Sequence, residues 1–395
     1  MVVHSYYDED PRVRREAEAL VAAGHEVDVF ALRRATDDET GILDGVVVRR
    51  LGVQRHQGAG IGVYLREYVS FLLRSGWALT RAHRRRRYGL VQVHSLPDFL
   101  AFAALPLRIV GIPLVLDLHE AMPEFFRSRF PGASRPIVHR LLVLQERLST
   151  AIATAVVTVN PVMAERLIGL GVAASKVHVV PNAASLRRFA AAHHPARTFG
   201  AGGIVRLAYA GALTPTYELD VVLDAIARLR EIRPGLAVHV DIYGRGDAEP
   251  GLHDQADRLG IAERVTFHGR IPIEDVPQAI ATADIGLAPT RHDRFTDVSL
   301  STKLFEYAAM GKPILASRLP LVEATFPPGT VTTYPSGDPV AMADAIVGIV
   351  DDPAARTAAI ARTAEVVRDR SWERHAVDYV RLIEDLVRGP AADRS

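Results

Sequence analysis

Lys303 and Glu306 lie three residues apart in the run Ser299 to Ser317, where the punctuation of the sequence predicts a short helix. Ser301 is the expected N-cap, Lys303 to Met310 the helix, Gly311 its terminator, and Pro313 the lead into an apolar strand. A helix already carries partial positive charge in its first turn, so a lysine there is unfavourable unless an anion binds beside it. Glu306 follows on the same face and accepts hydrogen bonds from sugar hydroxyls well. Together the pair suits a nucleotide sugar. The alternative use of the same spacing is a surface ion pair.

Further groups have comparable promise. Gly211-Ala212-Leu213-Thr214 follows the run Val205 to Ala210 and precedes an amphipathic segment with Val222, Leu223, Ile226 and Leu229 on one face. In an open α/β sheet that is where ligands sit, and a glycine lets a phosphate approach the backbone. A plain βα turn reads the same way. His119 and Glu120 end the run Leu114 to Leu118, and His94 ends the preceding one, so all three are expected at a sheet's carboxyl edge. There a histidine can meet a phosphate or hydroxyl and Glu120 a sugar. Asp10-Pro11 opens a helix as N-cap and N1, with Arg12, Arg14 and Arg15 in its first turns and Glu16 and Glu18 able to neutralise them on a solvated face. Arg84 to Arg87 close a segment containing Tyr64, Leu65, Tyr68, Leu73 and Trp77, which can dock on anionic lipid, although cations at a helix C-terminus are favourable by themselves.

These residues need two cores to hold them. The 395-residue chain alternates short apolar runs with longer amphipathic ones, the pattern of parallel sheets covered by helices. Strands are predicted at 27–30, 46–48, 90–93, 114–118, 155–159 and 177–180, after a short first strand at 1–4, and again at 205–210, 238–243, 265–267, 285–288 and 314–316. Residues 1–184 form the first expected domain, with a helix over 372–388 packing back on it. Residues 185–203 read as a linker and 204–371 as a second domain, and two such domains imply a cleft. A formal charge of +1 offers no global field for nucleic acid. The absence of cysteine excludes disulfides and thiolate chemistry and fits a reducing compartment, so the expected address is the cytoplasm, at or near the inner face of the membrane. No metal-ligand spacing, P-loop, Gly-x-Ser-x-Gly or Gly-x-Gly-x-x-Gly occurs, so neither a metal nor a cofactor is expected.

Four stretches carry a resemblance: Asp10 to Ala17, Asp117 to Glu124, Val180-Pro181-Asn182, and Lys303 to Tyr307. In these the chain resembles the retaining glycosyltransferases of family 4, with the GT-B fold, over nearly its whole length. The resemblance implies two Rossmann-like, doubly wound domains, the first binding a hydroxyl-bearing acceptor and the second a nucleotide-sugar donor. It implies that Glu306 holds ribose hydroxyls, that Gly211, Ala212 and Gly244 face the diphosphate, and that Arg270 and Ile271 border the base. Thr296, Ser299, Leu300, Ser301 and Thr302 would line the sugar. Arg12, His94, His119 and Glu120 would serve the acceptor side, with His119, Lys303 and Glu306 the catalytic set. Two positions depart from the family pattern: Val298 stands where a first glutamate is usual, and Ala212 and Glu218 stand where the loop often carries Arg and Lys. Lys303 is therefore expected to supply the charge that the loop lacks. The implied reaction is metal-independent transfer with retention, in polysaccharide or glycolipid assembly or on a specialised metabolite. A sugar-nucleotide epimerase of the same architecture and a non-catalytic nucleotide-sugar-binding subunit are the alternatives.

Overall fold

Strand runs built from Val, Ile, Leu and Ala without polar alternation suit parallel strands covered on both faces. The computed structural model describes residues 1–54, 60–130, 132, 135–195 and 197–389. The chain divides into two units: Met1–Asn182 together with the chain from Glu373, and Ala183–Trp372.

The first unit contains β1 (Asp28–Leu32), β2 (Thr40–Leu43), β3 (Val46–Leu51), β4 (Val91–His94), β5 (Leu114–Leu118), β6 (Ala155–Thr158) and β7 (Val177–Val179). They pair in the orders β1-β3-β2 and β4-β5-β6-β7, parallel except that β2 runs antiparallel to β3. The first residues of the chain join the two sets. Val2 N donates to Gln92 O (2.8 Å), His94 N to Val2 O (3.0 Å) and Val3 N to Phe30 O (3.0 Å), so the short first strand lies between β1 and β4. The helices are α1 (Pro11–Ala22), α2 (Ile61–Arg86), α3 (Leu105–Ile109), α4 (Met122–Arg129), α5 (Pro136–Ile152) and α6 (Pro161–Gly169), with a 3-10 segment at Asp98–Ala104. Asp10 caps α1 as expected, its Oδ1 accepting from Arg12 N and Val13 N. The solvated arginine face does not exist. Arg14, Arg15 and Glu16 are buried, Arg14 pairing with Glu18 and Asp44 and Arg15 donating to Asn182 at 3.1 Å. Counting charges along the helix missed this, because the acids that meet Arg14 include one from a distant hairpin turn.

The second unit contains β8 (Ile204–Ala210), β9 (Ala237–Tyr243), β10 (Val265–Gly269), β11 (Ile285–Ala288), β12 (Ile314–Ser317) and β13 (Thr332–Tyr334). Their order is β10-β9-β8-β11-β12-β13, all parallel, so the strand sequence reverses direction between β8 and β11. Helices α7 (Leu219–Ile232), α8 (Glu249–Arg258), α9 (Val276–Ala281), α10 (Lys303–Ala309), α11 (Pro320–Thr325), α12 (Pro339–Asp351) and α13 (Pro353–Asp369) cover it. Val222, Leu223, Ile226 and Leu229 of α7 are fully buried, as their spacing predicts. Residues 185–203 fall within this unit, and Phe189 packs in a cluster with Leu304 and Phe305. The last helix, α14 (Trp372–Arg388), buries Tyr379, whose hydroxyl donates to Gln92 Oε1 at 2.6 Å on β4.

One glycine fixes where α10 sits. A Cβ on Gly286 of β11 would lie 2.3 Å from the Tyr307 ring, and Tyr307 in turn bonds the β8 backbone at Ala208 O and Ala210 N. Gly286→Ala is expected to lower stability by about 1–3 kcal/mol through overpacking, read as an earlier denaturant midpoint.

Candidate active site

In the second unit Gly211, Gly244 and Arg270 directly follow the carboxyl ends of β8, β9 and β10. Gly211 N donates to Tyr243 O and Gly244 N to Gly269 O, each at 2.8 Å, so the loops after the three strands are tied together. The two glycines touch. A Cβ on Gly244, whose φ is +147°, would lie 1.8 Å from Gly211 O, so no side chain fits between these loops. A Cβ on Gly211 would meet Lys303 Cε at 2.3 Å and Nζ at 2.7 Å. The ammonium of α10 therefore rests against the Gly211 backbone, although the two are far apart in sequence. Lys303 is only 7% exposed, and its Nζ lies 4.0 Å from the Tyr217 ring centroid and 5.0 Å from that of Tyr209. The surface ion-pair reading does not hold for Lys303: among the described residues it faces two aromatic rings and no carboxylate. Neither tyrosine was singled out by the sequence, since a ring's use as a cation shelf depends on contacts that spacing does not encode.

Other details differ from the expectation. Thr302, not Ser301, precedes the helix, and its backbone is already helical with no side-chain cap. Capping geometry needs an extended residue there, and the segment supplies none. With seven residues, α10 offers little macrodipole, so the local positive charge is that of the ammonium. Glu306 is half-buried one turn after Lys303, and Ser299, Leu300, Ser301 and Thr302 are half-buried in the segment entering α10. Thr296 is different: its hydroxyl accepts from Asp293 N and donates to Arg291 O, both 2.8 Å, which spends it on the loop. Arg270 is exposed and Ile271 half-buried just after β10, and Ala212 is exposed. Glu218 turns inward, fully buried, and accepts from the Ser317 and Ser336 hydroxyls, so it places no carboxylate on the glycine loop.

In the first unit a second cluster forms at the ends of β4 and β5. Asp117 Oδ2 accepts from His94 Nδ1 at 2.9 Å, and His94 Nδ1 lies 3.2 Å from His119 Nε2, the two rings stacked within 4° of parallel. Gln92 Nε2 donates to Glu16 Oε2 at 2.7 Å, and Glu16 hydrogen-bonds Asp117. All five side chains are buried. Arg12, half-buried, presses its charge on His94 and His119, while Glu120 is half-buried beside them. Burial holds His94 down to about 4 and His119 well below the ordinary range, so both rings are neutral at physiological pH. Burial also pushes Glu16 up to about 8 and Asp117 up to about 7. The carboxyl pair thus keeps a proton, which Glu16 donates to Asp117. A His94 nitrogen that gives its proton to Asp117 cannot accept one from His119. His119 Nε2 also lies 3.2 Å from Asp117 Oδ2, within reach to donate to that oxygen itself, and its Nδ1 is buried without a partner among the described residues. Sequence reasoning found the histidines but missed Asp117, Glu16 and Gln92; an acid inside the run Leu114 to Leu118 was the available signal.

The donor atoms of His94, Asp117 and His119 lie within 4.8 Å of one another, close enough to hold a metal ion. Arg12 and Arg15 oppose that use, because the cationic charge they press on these groups would repel a divalent ion. The set fits a hydrogen-bonded relay better. Its proton storage should appear in stability. Between pH 6.5 and 8 the folded carboxyl pair binds more protons than the unfolded chain, so stability falls as pH rises. His94 acts oppositely, but only between about 4 and 6.5. Denaturant midpoints are expected to drop from pH 6.5 to 8, on the order of 1–2 kcal/mol, and Glu16→Gln should flatten that slope.

Comparison with known proteins agrees with both units. The model of the glycosyl transferase 4-like domain matches residues 10–183, and that of glycosyl transferases group 1 matches residues 205–352. A phosphatidyl-myo-inositol mannosyltransferase of Mycobacterium leprae is 32% identical over 173 residues, a match spanning 44% of each chain. A D-inositol 3-phosphate glycosyltransferase of Streptomyces avermitilis is 27% identical over 355 residues, 86% of this chain and 74% of that one. Among solved structures, Anabaena HepE in complex with UDP-glucose superposes with a TM-score of 0.66 at 14% identity, covering 97% of this chain and 98% of that one. With a glycosyltransferase domain matched to each unit, and a dinucleotide-type sheet carrying a buried lysine at its carboxyl edge, the chain belongs to the family 4 glycosyltransferases of the GT-B fold.

Proposed function

We propose that the chain moves a sugar from a nucleoside-diphosphate sugar to a hydroxyl acceptor, with retention and without a metal. The observation that carries this reading is Lys303, a buried ammonium shelved on Tyr209 and Tyr217 against Gly211. Such a preorganised cation suits the diphosphate, which gains charge as the bond from the sugar C1 to the phosphate oxygen breaks. The acceptor oxygen then bonds to C1 and its proton passes to the departing diphosphate. Glu306, one turn on, takes the ribose hydroxyls, Arg270 and Ile271 border the base, and His119 Nδ1 serves a sugar hydroxyl. That HepE, of the same fold, is solved with UDP-glucose supports the donor class. Both curated relatives are named as transferases, which favours transfer over epimerisation or mere binding, and both names contain inositol, which makes inositol phosphates and phosphatidylinositol the first acceptors to try.

The test is turnover of UDP- and GDP-sugars in EDTA, with and without acceptor, with the product anomer read by NMR. Acceptor-dependent release of nucleoside diphosphate and a product keeping the donor's anomeric configuration are expected. Donor consumption without acceptor would point to an epimerase, binding without turnover to a non-catalytic subunit, and restoration only by added metal would remove the metal-independent reading.

A further inference from the structure

The turn Gly244-Arg245-Gly246 after β9 is locked on both sides of one arginine. Gly244 has no room for a Cβ against Gly211, and a Cβ on Gly246 would lie 2.0 Å from Leu213 O. Backbone bonds hold the same turn: Gly244 N donates to Gly269 O at 2.8 Å, Leu213 N to Arg245 O at 3.0 Å and Ala248 N to Leu213 O at 3.0 Å. The Arg245 side chain is nevertheless exposed. Arg206, Arg233 and Arg291 of this unit are spent on Asp241, Asp351 and Asp220. Arg245 has no ion pair, side-chain hydrogen bond or ring contact among the described residues. Its guanidinium reaches across to β10, where a Cβ on Gly269 would lie 3.6 Å from Nε and 3.7 Å from Nη2. It therefore points away from Lys303, which rests on the other side of the turn against Gly211 at the end of β8.

We propose that Arg245 selects the base of the sugar nucleotide, favouring uracil, thymine or guanine, which present a keto oxygen, over cytosine or adenine, which present an amino group in its place. The inference rests on the nucleotide-sugar reading of this site. In that reading Lys303 takes the diphosphate at β8 and the sugar lies toward the segment entering α10, so the base extends the other way, over β9 and β10 and beside Arg270. A guanidinium carries donors and no acceptor. It bonds a keto oxygen, or guanine O6 and N7 together, and meets an exocyclic amine donor to donor. With the backbone on either side of it already fixed, Arg245 loses less freedom on binding than an arginine on a loose loop would. A phosphate is the competing partner for the same cation, and that contact would be blind to the base.

The experiment is calorimetry with UDP, dTDP, GDP, CDP and ADP on the full chain and on its Arg245→Ala and Arg245→Lys variants, whose denaturant midpoints should match the parent's because the side chain is exposed. The parent is expected to bind UDP over CDP, or GDP over ADP, by about tenfold or more, the usual effect of one hydrogen bond to a charged group. Arg245→Ala should erase that preference by weakening the keto-base nucleotide while leaving CDP and ADP near their parent values. Arg245→Lys should keep part of it, since a lysine donates without the planar fork. A parent without base preference, a preference that Arg245→Ala leaves intact, or an equal loss for every nucleotide in Arg245→Ala would each overturn the proposal, the last by placing the guanidinium on phosphate. In those three cases the donor reading stands. A parent that binds none of the nucleotides would remove that reading and this inference with it.

Discussion

Lys303→Ala is expected to lower kcat/KM for the sugar nucleotide by roughly 100- to 1,000-fold, the usual range for removing one preorganised group that stabilises transition-state charge. The effect should be this large because the ammonium is already desolvated. It rests on Tyr209 and Tyr217 and against Gly211, so little reorganisation remains when the leaving group becomes charged. Binding of the nucleoside diphosphate itself should weaken less than turnover, since charge builds in the transition state. Gly211→Ala tests the same idea without touching the lysine: its Cβ would displace the lysine's flexible end, so the enzyme should stay folded and lose much of the same activity. Calorimetry with UDP, GDP, ADP and dTDP on parent, Lys303→Ala and Glu306→Ala separates the contributions. If Lys303→Ala binds and turns over like the parent, the ammonium has no part in holding the diphosphate.

Much of the second unit was legible. Five of its six strands follow from short runs dominated by apolar residues, and the inner face of α7 from helical spacing. β13, Thr332–Tyr334, escaped because two threonines and a tyrosine look no more apolar than a loop, and only pairing with β12 makes them a strand. Lys303 and Gly211 were each visible as candidates, but their contact depends on Tyr307 docking into the space that Gly286 leaves. That is a tertiary fact carried by a missing side chain. The helix start at Thr302 shows the limit of punctuation: a serine in the right place does not cap when the next residue is already helical.

The first unit was read less well, for a related reason. Asp44-Gly45, with φ of 51° and 80°, is a hairpin turn signal that places β2 against β3, but the runs that flank it are short. The same turn brings Asp44 to Arg14, which is why the charged start of α1 could be buried at all. Polar residues placed inward and leucines outward on α5 contradict the rule by which apolar faces were assigned to the core. A local rule broken over four turns points to function, just as the buried lysine does.

The histidine pair makes the second large prediction. His119→Ala should cut kcat by about 100-fold or more while leaving nucleoside diphosphate affinity at the parent value, because Lys303 and the glycine loops belong to the other unit. Asp117→Asn is the sharper experiment. With an aspartate, Oδ2 can accept from both rings, from His94 Nδ1 at 2.9 Å and from His119 Nε2 at 3.2 Å. An amide NH2 in that place would have His94 Nδ1 accept. The same NH2 offers His119 Nε2 no acceptor, so the protons of both rings are rearranged with ring positions unchanged. The variant should therefore resemble His119→Ala in kcat and the parent in fold and nucleotide binding. Because both rings are neutral in the parent, its kcat should not follow histidine ionisation between pH 6 and 8. An Asp117→Asn enzyme as fast as the parent would show that His119 works, if it works at all, without the relay behind it.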